Sequence, residues 1–158
     1  MSSEKHRVLG LRCGSTEYSF AVLKGGKRKP EVVVKGTVKF PKSNSRALNI
    51  AWFKQEIDDI FTHHAVSFLA IKGTEGLASR GAAFVARVEH EAAAILAAVN
   101  KGIRRVPRKV KSTIAKDLGL KGKGAYLATK LDTSVIPDFE KQPPNVKEAI
   151  LVGWSELW

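Results

Sequence analysis

Between Lys101 and Lys130 this 158-residue sequence sets ten cations, Lys101, Arg104, Arg105, Arg108, Lys109, Lys111, Lys116, Lys121, Lys123 and Lys130, against a single acid, Asp117. The segment therefore carries +9 of a net charge of +12. Guanidinium and ammonium groups at this density can neutralise successive phosphates of a nucleic-acid backbone and release its counterions. An acidic protein partner is the alternative that the same charge leaves open. Other short motifs carry less. Residues 119–124 hold Lys121 and Lys123 but lack the spacing and the terminal Lys-Ser/Thr of a phosphate-binding P-loop. His63 and His64 are adjacent, so they point in different directions, and no third metal ligand accompanies them. Cys13 follows a cation, Arg12, yet no histidine can be tied to it as a base, and an inert thiol is expected.

Composition bounds the setting. Apolar residues make up 44% and charged residues 27%, the balance of a globular protein, and the length suits one domain over 6–158 behind a flexible polar N-terminus at 1–5. With one cysteine there is no intramolecular disulfide and no cysteine-cluster zinc site. No apolar run approaches the ~20 residues needed to span a bilayer, so a cytoplasmic protein without a membrane partner is expected.

The elements that must position these residues follow from periodicity. Alternation at 7–12 gives a strand ending in a Cys-Gly-Ser turn. Residues 18–23 and 31–40 read as two further strands around a basic Gly-Gly hairpin loop. Ser43, Asn44 and Ser45 can cap a helix whose buried face is Ile50, Phe53, Ile57, Ile60 and Phe61. The continuous apolar run 66–71 predicts a strand covered on both sides. A long helix is predicted over 78–99, with Phe84, Val88, Ala92, Ile95, Leu96 and Val99 toward the core and Arg80, Arg87 and Glu91 toward water. Next come a short strand at 103–106, a helix from Pro107 to about Leu118 that places Arg108, Lys111 and Lys116 near one side, a further helix at 125–131, a loop at 137–144, and a last helix over 145–158 bearing Trp154 and Trp158. Three strands followed by alternating helices and strands define an α/β class with a mixed five-stranded sheet flanked by helices.

At this point several strings, taken in order, resemble the RNase H-like superfamily and within it the RuvC-type Holliday junction resolvases. Val8-Leu9-Gly10-Leu11-Arg12-Cys13-Gly14-Ser15 is similar to the family's first strand. Leu69-Ala70-Ile71-Lys72 is similar to the strand that ends in its second catalytic acid, and residues 145–151 resemble its closing helix. The resemblance implies four carboxylates around two divalent metals. In this chain the corresponding positions are Arg12, Lys72, Asn145 and Glu148, so only the last is acidic.

A hard divalent ion needs oxygen ligands, and two cations aimed at the same small volume repel it. The expectation is a degenerate centre with no metal or other cofactor. Two roles compete for Arg12 and Lys72: pairing with Glu148 to fill the former metal space, or holding a phosphate. A rearranged nuclease site would have to draw on Glu75 with Glu148, or on Asp58, Asp59, Asp132, Asp138 and Glu140. The preferred reading is a nucleic-acid binder, of duplex or branched DNA or structured RNA, through Arg12, Lys72, Arg104, Arg105, Arg108, Lys109, Lys111, Lys116, Lys121 and Lys123. The resemblance also implies a homodimer, because a four-way junction is itself symmetric. The adaptor alternative would show Trp154 and Trp158 exposed in a hydrophobic patch, with the basic stripe broken up in three dimensions.

Overall fold

The computed structural model describes residues 6–76 and 80–158. The stretch 1–5 and the expected helix start at Ala78 lie outside the described residues. Strands β1 (Val8–Cys13), β2 (Glu17–Gly26) and β3 (Lys29–Lys39) form an antiparallel meander, followed by α1 (Arg46–His63) and β4 (Phe68–Lys72). After α2 (Ala82–Asn100) come β5 (Arg108–Lys109), α3 (Lys111–Asp117), the single turn α4 (Tyr126–Thr129) and α5 (Pro144–Trp154). The sheet order is β3-β2-β1-β4-β5, with β4 parallel to both its neighbours.

Period-two alternation along β1 and β4 divides the core into two layers. Leu9, Leu11, Cys13, Leu69 and Ile71 pack toward α1 and α2, whereas Val8 and Ala70 pack toward α5, α3 and α4. Gly10 faces α5 at its closest approach. A Cβ there would run into the Ala149 carbonyl and lie 2.9 Å from the Gly153 nitrogen, while one on Gly153 would lie 2.6 Å from Leu23 Cδ1. This tight crossing seats α5 directly on β1, so Glu148 sits over Arg12, two residues beyond Gly10 on the same face of the strand.

The expected N-cap of α1 is present, with Ser45 Oγ accepting from the Leu48 N–H at 3.3 Å. In α2 the expected face is reversed. Arg87, His90, Glu91, Ala93, Ala94, Ala97 and Ala98 turn inward, while Val85, Val88, Ile95, Leu96 and Val99 are exposed. The alanines explain the rotation, because their small side chains let the helix approach the sheet closely, and Arg87 and Glu91 enter the interior as a pair. The expected strand at 103–106 is instead irregular, and pairing begins at Pro107, whose carbonyl accepts from the Ile71 N–H at 2.9 Å. Arg108 and Lys109 therefore belong to a strand edge, not to a helix, and α3 starts only at Lys111.

Candidate functional site

Parallel pairing of Leu11 with Ile71 brings Arg12 and Lys72 to neighbouring strand ends on the α5 side of the sheet. The Arg12 Nε donates to Glu148 Oε2 at 3.0 Å and its Nη1 to the Cys13 carbonyl at 2.9 Å. Of the two roles weighed for Arg12, the structure places it in the pair with Glu148. Lys72 takes a different partner. Its Nζ donates to Glu75 Oε2 at 2.8 Å and to the Gly73 carbonyl at 2.7 Å, and its side chain is only 3% exposed. Glu75 also accepts from the Lys111 backbone N–H at 3.2 Å. Partial burial pushes the Glu75 carboxyl pKa upward, but the bonds from Lys72 and Lys111 outweigh it and hold the group below its ordinary value.

A second layer of charge stands behind these strand ends. Arg87 Nη2 donates to the Lys72 carbonyl at 2.8 Å, and its guanidinium lies 3.6 Å from Glu91. Glu91 is also met by Arg108 Nε at 2.6 Å, and Arg108 reaches Thr74 Oγ1 at 3.1 Å. Burial, with Arg12 nearby, lowers the Arg87 pKa, against the opposing pull of Glu91 and Glu148. His90 is held below the usual histidine range by burial while its Nδ1 lies 2.8 Å from the Gly14 carbonyl. Burial drives the Cys13 thiol pKa far upward, consistent with an inert thiol.

The sequence reading missed the inward placement of Arg87 and Glu91. Their i,i+4 spacing was the available signal, because it allows an Arg–Glu pair to enter a core together. The assignment of Lys109 to an exposed phosphate-binding row also meets a different arrangement. Its side chain is 7% exposed and is enclosed by Asp117 at 2.7 Å, Glu156 at 2.5 Å and Ser155 Oγ at 3.0 Å. Lys72 is likewise enclosed, and Arg108 is committed to Glu91.

The remaining cations of the segment, Lys101, Arg104, Arg105, Lys111, Lys116, Lys121, Lys123 and Lys130, are exposed and make no ion pair among the described residues. Several share one neighbourhood. Lys123 and Lys130 lie 5.6 and 4.5 Å from the centre of the Tyr126 ring, while a Cβ added at Gly124 would lie 2.8 Å from Lys111 Cβ and one at Gly122 would lie 3.8 Å from Lys116 Cβ. Arg104 and Arg105 precede β5, away from the strand ends that carry Arg12 and Lys72.

The oxygen set does not fit a pair of hard divalent cations. Each carboxylate at the strand ends already accepts from a cation, and no three His, Cys, Asp or Glu side chains converge as a metal cluster among the described residues. Asp58 is paired with Lys54 on α1 and Glu140 with Lys147, so neither completes such a set.

The sheet order, the α5 crossing and the placement of the site define an RNase H-like fold of the RuvC type. Thermus thermophilus RuvC solved in complex with a Holliday junction substrate matches with a TM-score of 0.70 and 14% identity, over 95% of this chain and 91% of that one. Another T. thermophilus RuvC structure gives 0.71 and 14%, over 94% and 92%. The yeast mitochondrial Holliday junction resolvase Ydc2 gives 0.60 and 11%, over 98% and 79%. No family model and no curated protein sequence matches the chain.

Replacing Glu91 by Gln leaves Arg87 and Arg108 without their shared counter-charge. The expected cost is about 3 kcal/mol of unfolding free energy, read as a lower urea midpoint at unchanged slope. An unchanged midpoint would show that the network does not hold the strand ends.

Proposed function

We propose that this chain binds nucleic acid through phosphates and does not cut it. The observation that carries the reading is the separation of charge: cations at the strand ends are matched by acids, whereas those around α3 and α4 are left uncompensated at the surface. Uncompensated cations beside an aromatic ring suit a polyanion. The RuvC structure solved with a Holliday junction substrate supports branched DNA as the first ligand to try. In this reading Lys111, Lys116, Lys121 and Lys123 contact the backbone, while Lys72 and Lys109 are structural. Arg12 holds α5 to β1 through Glu148, and among the described residues no carboxylate cluster is free to take a divalent ion.

The exposed stripe on α2 favours a homodimer over an adaptor role. Leu96 and Val99 are 52% and 50% exposed on the same face as Val85, Val88 and Ile95. An apolar stripe repeated along a helix is self-complementary across a two-fold axis. The aromatic patch that an adaptor would need is not assembled, because Trp154 is buried, donating to the Lys27 carbonyl at 2.8 Å, while Trp158 is 60% exposed and stacks on His6.

Fluorescence anisotropy with a four-way junction should give saturable binding at low salt. Changing Lys116, Lys121 and Lys123 together to Ala should lower the slope of log affinity against log salt by about 0.9 for each lost phosphate contact on duplex arms. Absence of binding, or an unaltered slope, would overturn the reading. Leu96→Glu should convert a dimer to a folded monomer in sedimentation equilibrium, whereas a wild-type monomer at all concentrations would exclude this interface.

A further inference from the structure

A cavity of about 390 Å³ lies between α3, α4 and α5, with Lys72 and Glu148 of the paired strand ends in its lining. Its apolar walls include Ile114 from α3, Leu127 from α4, Leu151 from α5 and the ring of Phe139. Two further lysines line it: Lys111, which is exposed and without an ionic partner among the described residues, and Lys147, whose Nζ lies 5.8 Å from the Phe139 ring centre and 3.3 Å from Glu140. The volume stands at the low end for small-molecule sites, enough for a planar ring system and too small for a helix or a folded loop.

The mixed lining narrows the ligand class. A purely apolar side chain would strip water from Lys111, Lys147 and Glu140 and offer them nothing in return. An inorganic anion would leave the apolar walls unused. A nucleobase brings flat apolar faces together with N–H donors and carbonyl acceptors at its edge, and its own phosphate supplies the counter-charge for the lysines.

We propose that this cavity receives one unpaired nucleobase of a bound strand, with its face against Phe139 and the aliphatic walls and its flanking phosphate on Lys111 and Lys147. The proposal rests on the nucleic-acid reading above and adds a preference for strand irregularity. A base already outside a helix enters without the cost of unpairing, so bulges and junction centres are favoured over continuous duplex.

The test compares two otherwise identical duplexes, one with a single bulged 2-aminopurine and one with the same base paired. Binding of the bulged duplex should be about tenfold tighter, the scale of one stacked base, with saturable change in 2-aminopurine emission. Ala128→Trp, at an exposed position lining the cavity, should abolish the preference while leaving paired-duplex affinity within about twofold, since the lysines that hold the backbone are untouched. Ala125→Trp, also exposed and lining the cavity, repeats the test independently. Equal affinity of the wild type for both duplexes, or a preference that survives both tryptophans, would overturn the cavity proposal while leaving backbone binding intact. Failure to bind either duplex would overturn the underlying nucleic-acid reading as well.

Discussion

A charge withdrawn from water has to be met by an opposite charge or by aligned dipoles, and that constraint organises this protein around the C-terminal ends of β1 and β4. The tight crossing of α5 over Gly10 brings Glu148 over Arg12, which stays 23% exposed, while Lys72 at the neighbouring strand end is almost fully enclosed. Each then requires an acid. Glu148 comes from α5, Glu75 from the loop after β4, and Glu91 from α2 serves Arg87 and Arg108 together. Helices on both faces and the last strand are thereby tied to the same point.

This network explains how the chain's excess positive charge is distributed. Cations that reach the interior find acids, Lys109 between Asp117 and Glu156 being the clearest case. Those on α3, on the turn that leads to α4 and at the C-cap of α4 have none among the described residues, and their repulsion is tolerated because water screens it. A polyanion would relieve it. The interior network and the exposed cluster meet at Lys111, whose backbone N–H supports Glu75 while its side chain lines the neighbouring cavity.

Much of the fold was legible in periodicity. The meander, the Ser45-capped helix and the apolar β4 all follow from local patterns of two or 3.6 residues. The resemblance named Arg12, Lys72, Asn145 and Glu148 as one centre, whereas the ion pairs join Arg12 to Glu148 and Lys72 to Glu75. The face of α2 was not legible that way. Counting apolar bulk points to Val88, Leu96 and Val99, whereas close approach to a sheet selects Ala94, Ala97 and Ala98 and admits an Arg–Glu pair. The burial of Lys72 and Lys109 was hidden for another reason. For Lys109 the decisive partner, Glu156, lies far along the chain, and a residue's charge alone does not reveal whether tertiary structure will neutralise it. Pro107 misled because a proline suited to a helix start also suits the first residue of an edge strand.

In the proposed function the strand-end cations are paired with acids, and the surface around α3 and α4 holds a phosphodiester backbone without metal-assisted cleavage. The most direct measurement is incubation of the protein with a labelled four-way junction in excess magnesium or manganese, followed by denaturing electrophoresis alongside a parallel binding assay. The expected result is a bound junction whose strands all remain intact. Metal-dependent incision that is abolished by Glu148→Gln would contradict it.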